Sequence, residues 1–348
     1  MASSQAEARY RWAPQMREYD SLKYVWHPYV MSFHEANHSS PAVHTDERGF
    51  RFSAKGGSAV SNFDGAQGER GLIVGGSVAF GVGASSDAKT IPSILNEKSQ
   101  TTWLNFGGMA ISSTQELLLF LFQQRDLGNL KKVVFFSGLN ELVLALMGLK
   151  PATGYGPIFS LDAYNSRMNR VKLSSKRKLL KAALEPIKGK RTDWADAPIG
   201  ELLFSKQAHE TKSADDINPA SAVEHYRKNL SAWKRLCEPM GIEMSFVLQP
   251  IVTWIDKEHS QEERELFAEL DQRSSNTWRT ISERFSPDQL GWYSSELASI
   301  CAAEGIAFHD SNEEYGNGKH NGEWLFVDRA HMTDRGNEVA AEFIASRL

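Results

Sequence analysis

The stretch from Leu72 to Gly81, with the sequence LIVGGSVAFG, constrains the fold of this chain more than any other. Leu72–Gly75 predicts a short buried strand, because a run of apolar residues stops at a pair of glycines. The chain then turns and presents Ser77, and a helix is predicted from about Thr90. A strand that ends in a glycine turn can hold a serine hydroxyl at the rim of a sheet, where nucleophilic serines are presented. Phosphate-binding loops share this outline, so both interpretations are open at this point.

The rest of the chain repeats the pattern of a short apolar strand followed by a helix. Strands that are apolar throughout are typical of a parallel sheet with both faces covered, so we predict an α/β fold. The predicted strands are Leu72–Gly75, Thr102–Phe106, Lys132–Ser137, Ile242–Gln249 and Ile306–Phe308, and the predicted helices are Ile91–Glu97, Ser113–Arg125, Val223–Cys237, Glu262–Arg284, Trp292–Glu304 and Asp334–Arg347.

Two segments fall outside this alternation. Residues 1–66 are polar and rich in aromatic side chains, and we interpret them as an N-terminal extension of loops and short strands that packs on the main domain. Residues from about 151 to 215 are interpreted as a basic helical insertion, which carries ten basic residues and one acidic residue between Arg167 and Arg191. The insertion is either a solvated helix or a lid or docking segment for an anionic partner, such as a phosphorylated carrier, a nucleotide-bearing substrate or a membrane surface.

Composition and charge exclude several classes of protein. The chain has 348 residues and a net charge of −4, which gives no general attraction to nucleic acid. Two cysteines, Cys237 and Cys301, build no disulfide framework in a chain of this size, although a single bridge between them stays open. The first ten residues lack the pattern of a signal peptide, and the apolar runs are far shorter than the roughly 20 residues that span a bilayer. We therefore expect a cytoplasmic protein without a transmembrane segment.

Histidines in the N-terminal extension raise the question of a metal site. His34 and His38 have the i,i+4 spacing with which one helix could present two ligands. However, the sequence Ser39-Ser-Pro41 predicts that any helix ends there, since the residue before a proline disfavours helical geometry. We therefore expect structural or surface histidines and no metal.

Four short blocks stand at positions where a ligand could be held. They are Gly75–Gly81, Asn105–Ala110, Gly138–Glu141 and Val327–Gly336. In an open parallel sheet, ligands bind beyond the carboxyl ends of the strands, so we expect the four blocks to converge on one rim. The first block lacks the lysine that ends a phosphate loop and the full glycine spacing of a dinucleotide site, which favours a nucleophilic serine.

The blocks supply the residue types that a nucleophilic serine needs. A serine hydroxyl is a weak nucleophile, and His331 can take its proton because imidazole titrates near neutral pH. Asp328 lies three residues before this histidine and can hold it in the required tautomer, and Asn140 can donate to a developing oxyanion. His309 and Asp310 form a second histidine–acid pair at a strand end, but no serine block accompanies them.

These four blocks resemble those of the SGNH (GDSL-type) hydrolase superfamily, where a serine, a glycine, an asparagine and a histidine come from four blocks in this order. The resemblance covers Leu72–Asn140 and residues from about 242 to the C-terminus, and it leaves out the first 66 residues and the basic insertion. It implies a flavodoxin-like three-layer α/β/α sandwich with a five-stranded parallel sheet, in a domain of residues 67–348. It also implies hydrolysis or transfer of acyl groups through a covalent acyl-serine, with no metal or organic cofactor.

The resemblance further implies a role for each matched residue. Ser77 would be the nucleophile, and its own backbone N–H would be an oxyanion donor. Asn140 would donate to the same oxygen through its side chain. His331 would be the base and Asp328 its partner.

The chain departs from the family pattern at three places. Gly76 stands where the family has aspartate, and Glu141 stands where it has a shorter acid. The oxyanion glycine of the second block is ambiguous: counting five residues from the start of that block gives Ala110, whereas aligning the visible glycines gives Gly108. Alanine can replace glycine as an N–H donor if its backbone conformation is accessible.

Three functions fit this pattern. The first is a serine esterase or deacylase acting on an acetyl or other short-chain ester of a sugar or small polar substrate. The second is an O-acyltransferase that uses the same serine with an acyl-CoA or acyl-carrier donor held by the basic insertion. The third is a catalytically weak family member that binds glycans, which the irregular second block suggests.

Overall fold

The computed structural model describes residues 7–65, 68–148, 158–159, 161, 164, 218–272 and 286–348. Its strands are β1 (Tyr24–His27), β2 (Met31–His34), β3 (Ser53–Lys55), β4 (Ser58–Val60), β5 (Arg70–Gly75), β6 (Thr102–Gly107), β7 (Leu130–Ser137), β8 (Glu243–Leu248) and β9 (Ala307–Asp310). Its helices are α1 (Glu7–Trp12), α2 (Met16–Ser21), α3 (Ser77–Phe80), α4 (Ile91–Lys98), α5 (Ser113–Gln123), α6 (Leu139–Leu146), α7 (Pro219–Cys237), α8 (Gln261–Asp271), α9 (Pro287–Ala303), α10 (Asn312–Tyr315) and α11 (Asp334–Ala345).

The central sheet has five strands in the order β6-β5-β7-β8-β9, and every neighbouring pair is parallel. Counted along the chain, this order is 2-1-3-4-5, which is the flavodoxin-like arrangement. The predicted α/β class and the five-stranded parallel sheet are therefore confirmed. Because all strands run the same way, their carboxyl ends lie at one rim, where the order reverses beside β5.

Side chains of alternate residues on each strand enter two separate cores. On β5, Leu72 and Val74 enter one core and Ile73 enters the other, as the period of two in a strand requires. The first core is closed by residues of α5, α6, α7 and α9, and the second by residues of α4, α8 and α11. The sheet is thus covered on both faces, which explains why the inner residues of its central strands, such as Leu72–Val74 and Val133–Phe136, are all apolar.

Local sequence accounts for the positions of several helix starts. Ser112, Ser260 and Ser286 each form a capping box at the start of α5, α8 and α9, in which the serine and the residue three positions on satisfy each other's backbone N–H groups. A proline stands in the first turn of α7 and α9, where its missing N–H costs nothing. These signals place the starts of α7 and α9 several residues earlier than the apolar periodicity alone predicted.

The N-terminal extension contains more regular structure than we predicted. In addition to the antiparallel pairs β1–β2 and β3–β4, it forms two short helices, α1 and α2. A third apolar cluster joins this extension to the main sheet domain: Tyr19 and Tyr24 lie in it together with Phe80, Met109 and Val327. Those last three residues come from three of the four sequence blocks, so the extension contacts the elements that carry the site.

Two predicted segments lie largely or partly beyond the described residues. The basic insertion at about 151–215 is outside them except for positions 158–159, 161 and 164. The helix predicted over Glu262–Arg284 corresponds to α8, which ends at Asp271, and residues 273–285 are outside the described ranges. The other strands and helices differ from prediction by a few residues at their ends.

The cysteines and the helices bear on two further expectations. Cys237 and Cys301 are buried free thiols, so the disulfide left open by the sequence does not form. Burial raises the pKa of each thiol to about 12, which leaves both unreactive at neutral pH. Within the described ranges, no helix is long and apolar enough to cross a membrane.

Candidate active site

Ser77 stands at the carboxyl end of β5, the strand beside which the strand order reverses. The strand ends at Gly75 and α3 begins at Ser77, so the serine is the first residue of a short helix. The residue is only 7% exposed. Its Oγ lies 2.8 Å from Nε2 of His331, a distance at which the hydroxyl can donate to an unprotonated imidazole nitrogen.

Two glycines allow neighbouring groups to lie close to the turn that carries this serine. A Cβ on Gly76 would lie 2.4 Å from Nδ2 of Asn140, so glycine here leaves room for that amide beside Ser77. A Cβ on Gly107 would lie 2.1 Å from the backbone nitrogen of Phe80, so the end of β6 touches α3 directly. An aspartate at position 76 would require the amide of Asn140 to shift from the place it has here.

Asp328 faces the second ring nitrogen of His331. Nδ1 lies 2.9 Å and 2.8 Å from the two carboxylate oxygens, and Oδ1 also accepts from the backbone N–H groups of Ala330 and His331. A carboxylate only accepts hydrogen bonds, so Nδ1 donates and Nε2 of the neutral ring is left as the acceptor for Ser77. The three side chains form one hydrogen-bonded chain.

The loop that carries this histidine is held from two sides. The N–H of Val327 donates to the carbonyl of His331 at 2.9 Å and closes a tight turn. Glu263 of α8 accepts from the N–H groups of Leu325 and Phe326 at 2.9 Å and 3.1 Å. Although burial would raise the pKa of Glu263, the hydrogen bonds it accepts from side chains and amides hold that pKa below its usual range. A buried carboxylate therefore anchors the approach to the loop.

A positive charge from the N-terminal extension stands beside Asp328. Nη1 of Arg9, on α1, lies 3.5 Å from Oδ2 of Asp328. Burial alone would raise the pKa of Asp328, but the charge and hydrogen bond of His331 and the charge of Arg9 hold that pKa well below its usual range. Asp328 is therefore ionised throughout the neutral pH range.

The second block distinguishes the two candidate oxyanion donors by their hydrogen bonds. The N–H of Gly108 donates to the carbonyl of Gly75 at 3.0 Å, and the N–H of Met109 donates to Nε2 of His34 at 2.9 Å. The N–H of Ala110 donates to no acceptor among the described residues. Its φ of +55° is the left-handed conformation that usually favours glycine. Alanine thus adopts the left-handed conformation here, and of the two candidate N–H groups the one on Ala110 has no acceptor among the described residues.

Asn140 lies in the first turn of α6, against Gly76. Its Nδ2 donates to the carbonyl of Ile111 at 2.7 Å, and because an amide NH₂ has two hydrogens, the second is left for a ligand. Glu141 follows, and its carboxylate accepts from the N–H of Ser113 and from the hydroxyl of Tyr226. The longer acid at this position therefore ties the third block to α5 and α7.

His34 of β2 packs against the second block and accepts a hydrogen bond from it. Its Nδ1 lies 3.0 Å from the carbonyl of Gly49, so Nδ1 carries the proton and Nε2 accepts from Met109. Its ring lies between those of Phe33 and Phe80, at centroid distances of 4.4 Å and 4.3 Å and tilted by 39° to each. Burial lowers its pKa to about 4, which keeps the ring neutral at pH 7. Both nitrogens are used in hydrogen bonds, and in the described part of the chain no cluster of three or more histidines, cysteines or acids could hold a metal ion.

The second histidine–acid pair is not joined in the structure. Asp310, at the end of the edge strand β9, accepts from the hydroxyl of Ser294 at 2.6 Å and from Asn312. No hydrogen bond connects its carboxylate to the ring of His309 among the described residues. The site with a serine, a base and an acid in contact is therefore the one at Ser77.

Comparing two alanine-to-glycine changes will test the left-handed conformation at Ala110. Ala84→Gly is expected to cost roughly 1.5 kcal/mol, because the buried methyl group is lost and the unfolded chain gains freedom. Ala110→Gly has the same two costs but relieves about 1–2 kcal/mol of left-handed strain, so we expect a net change within about 0.5 kcal/mol. Urea denaturation of both variants measures the difference, and equal losses would contradict the assigned conformation.

Several residues that shape the site were not identified from the sequence. Arg9 and Tyr226 each contact one of the blocks from a distant part of the chain, and Glu263 holds the two residues just before the fourth block. None of the three belongs to a motif. The sequence indicates His34 only as a possible metal ligand. The apolar residues Val30 and Phe33 near it are consistent with a buried histidine, but no sequence pattern links it to Met109.

Comparison with known proteins gives similarity in structure only. No protein-family model matches the sequence, and no curated protein matches it. Similar solved structures include an extracellular lipase from Streptomyces rimosus, with 12% identity and a TM-score of 0.40 over 81% of this chain and 100% of that one. A lipase/acylhydrolase from Enterococcus faecalis has 11% identity and a TM-score of 0.38 over 80% and 94% of the two chains. A GDSL-like lipase from Bacteroides thetaiotaomicron has 11% identity and a TM-score of 0.38 over 80% and 86%. The chemistry is inferred from the geometry of the site itself.

Proposed function

We propose that this chain is an SGNH-type serine hydrolase that cleaves carboxylic esters through an acyl-serine intermediate. The observation that carries the proposal is the continuous hydrogen-bonded chain from Ser77 through His331 to Asp328 at the carboxyl rim of the sheet. The tautomer that this chain requires is the one in which the imidazole can take a proton from the hydroxyl.

In the first half of the reaction, Ser77 Oγ attacks the carbonyl carbon of the ester. His331 Nε2 takes the hydroxyl proton and then gives it to the leaving alcohol, while Asp328 stabilises the imidazolium through its Nδ1–H. The oxyanion is met by the N–H groups of Ser77 and Ala110 and by the free hydrogen of Asn140 Nδ2. Donors fixed in advance by a folded backbone lower the barrier, because they need not reorganise as charge develops.

In the second half, water replaces the alcohol. His331 takes a proton from the water as it attacks the acyl-serine, and it returns that proton to Ser77 Oγ when the acid leaves. The site regains its starting protonation, and the reaction consumes one water and releases one alcohol and one acid. No step requires a metal or an organic cofactor.

We further infer that the substrate is a small acetyl or other short-chain ester, carried by a sugar or another polar alcohol. The motivation for this class is the sequence of the N-terminal extension, which is polar and rich in aromatic residues and packs against three of the four blocks. The acyltransferase alternative depends on the basic insertion, which lies outside the described residues, so the structure gives it no additional support. The weakly catalytic, glycan-binding alternative depended on an irregular second block, and the unpartnered N–H and left-handed φ of Ala110 among the described residues count against it.

Two measurements on the purified protein test the proposal. We expect covalent labelling by a fluorophosphonate probe at a single serine, and release of p-nitrophenol from p-nitrophenyl acetate faster than from long-chain esters. A folded protein that neither reacts with the probe nor cleaves any of these esters would overturn the assignment. Preference for long-chain esters would overturn only the inferred substrate class.

Product analysis separates hydrolysis from transfer. With p-nitrophenyl acetate as donor and a sugar alcohol as acceptor, we expect free acetate to be the main product over the whole range of acceptor concentration. A rise in acetylated acceptor at the expense of acetate, with unchanged p-nitrophenol release, would instead identify a transferase, because both products come from the same acyl-serine.

A further inference from the structure

The guanidinium of Arg9 divides its hydrogen-bonding edges between two carboxylates. Nε and Nη2 donate to the two oxygens of Asp20 at 3.0 Å each, in the bidentate fork geometry of an arginine–carboxylate pair. Nη1 is directed elsewhere and lies 3.5 Å from Oδ2 of Asp328. Side-chain exposure is 13% for Arg9 and 10% for Asp328, so water screens this contact little.

Helix α1 is itself fixed to the main domain by specific contacts. The N–H groups of Ala8 and Arg9 donate to Oε2 of Glu269 on α8, at 2.8 Å and 3.3 Å. The indole of Trp12 donates to Oε2 of Glu265 on the same helix at 2.9 Å. Both ends of the short helix are therefore anchored, and the guanidinium is held in place by its backbone as well as by Asp20.

We propose that Arg9 is a positioning residue for the active site, supplying a fixed positive charge that orients the Asp328 carboxylate and opposes the gain of a further positive charge by the Asp328–His331 pair. The inference rests on the proposed function and extends it. Oδ2 is the oxygen that receives no backbone N–H, since Ala330 and His331 both donate to Oδ1. Arg9 supplies the missing second partner, so both oxygens are held and the carboxylate plane is kept facing the ring.

The sign of the charge effect follows from the groups around Arg9. Asp20 and Asp328 are its two acidic neighbours, the hydroxyl of Tyr10 donates to Asp20 at 2.9 Å, and Arg17 stacks on the ring of Tyr10. A proton taken up by the Asp328–His331 pair makes the pair more positive, and the positive charge of Arg9 opposes that change. Without Arg9, the acid limb of the activity profile is therefore expected to move to higher pH.

The test is the pH dependence of kcat/KM for p-nitrophenyl acetate in a set of charge variants. For Arg9→Gln we expect the acid limb to move up by about 0.5–1 pH unit, which lowers activity roughly three- to tenfold on that limb and changes the alkaline plateau by no more than about twofold. Arg9→Lys keeps the charge, so the acid limb of its profile is expected to stay at the wild-type pH. Asp20→Asn keeps Arg9 but removes a neighbouring negative charge, so the acid limb of its profile is expected to move to lower pH.

Arg11 provides a matched control on the same helix. It pairs with Glu265 on α8 and does not touch Asp328, so Arg11→Gln is expected to leave the profile in place. The inference would be overturned if Arg9→Gln lowered kcat/KM by the same factor at every pH and Asp20→Asn did not move the acid limb to lower pH. Arg9 would then contribute only to the stability of the fold. A wild-type protein without esterase activity would overturn the proposed function instead, so the two failures are distinguishable.

Discussion

Ser77→Ala is expected to lower kcat/KM for p-nitrophenyl acetate by about 10⁴-fold or more, and to abolish labelling by a fluorophosphonate probe. The change removes the only atom of the residue that can form the acyl bond, while its backbone N–H and the donors at Ala110 and Asn140 remain. The activity that is left should come from those donors acting on bound ester and water. The methyl group fits where the serine Cβ already lies, and His331 Nε2 loses one donor, so the expected cost in stability is about 1 kcal/mol.

Ser85 is a suitable control for this substitution. It follows on the same loop and its hydroxyl donates to Asp334 at the start of α11, at an exposed position. Ser85→Ala is expected to keep both labelling and esterase activity. Intact-mass measurement and peptide mapping after labelling report the modified residue directly. Equal labelling of wild type and Ser77→Ala would show that another serine is the nucleophile.

Much of the fold could be predicted because its signals are local. The apolar strands and the glycine turns at their ends depend on neighbouring residues, so the order of strands and helices follows from the sequence. The starts of α7 and α9 are harder to predict from apolar periodicity, because the first turn of a helix is often polar and its position is set by proline and cap residues. The helices α1 and α2, of six residues each, are too short for their apolar periodicity to stand out.

The candidate site divides in the same way. Ser77, Asn140, Asp328 and His331 lie in blocks whose spacing carries information, and the structure brings all four to one rim. The choice between Gly108 and Ala110 could not be made from spacing, since it depends on which N–H already has a partner. That partner is the carbonyl of Gly75, on a neighbouring strand.

The contacts of the N-terminal extension had no sequence signal at all. Arg9 reaches Asp328 across a separation of more than three hundred positions, and His34 reaches Met109 only because β2 folds beneath the second block. Charged and polar residues in an extension usually face water, so their type alone favours a solvated surface. The extension therefore has to be considered part of the candidate site, since it places a charge beside Asp328 and provides a hydrogen-bond acceptor for Met109 of the second block.

Asp328→Asn is expected to lower kcat/KM at pH 7 by about 10³–10⁴-fold while preserving the fold. Asparagine can keep its Oδ1 as acceptor for the N–H groups of Ala330 and His331. Its NH₂ group then takes the place of Oδ2 and faces the imidazole. The ring must present an unprotonated Nδ1 to that donor, which moves the proton to Nε2 and leaves no acceptor for Ser77.

The same substitution has a consequence for stability that depends on pH. The pKa of Asp328 is lower in the folded than in the unfolded protein, so the carboxylate contributes stability above the unfolded pKa of about 3.9 and loses it as pH falls toward the folded value. Below about pH 4 the free energy of unfolding of the wild type should therefore fall more steeply than that of Asp328→Asn. At pH 7 the variant should be less stable by about 1–3 kcal/mol, because the NH₂ group also points a donor at Arg9.

Asp271→Asn separates the catalytic effect from a general loss of charge at this loop. Asp271 pairs with Arg329, the residue next to Asp328, at 2.7 Å, but it is 41% exposed in its side chain and does not reach the histidine. Its loss should change stability by no more than about 1 kcal/mol and activity by no more than about twofold. If Asp271→Asn and Asp328→Asn lowered kcat/KM equally, loop charge rather than the tautomer of His331 would account for the loss. If Asp328→Asn kept near wild-type activity, His331 would not need the carboxylate to orient it, and the chain from Ser77 to Asp328 would be a structural contact.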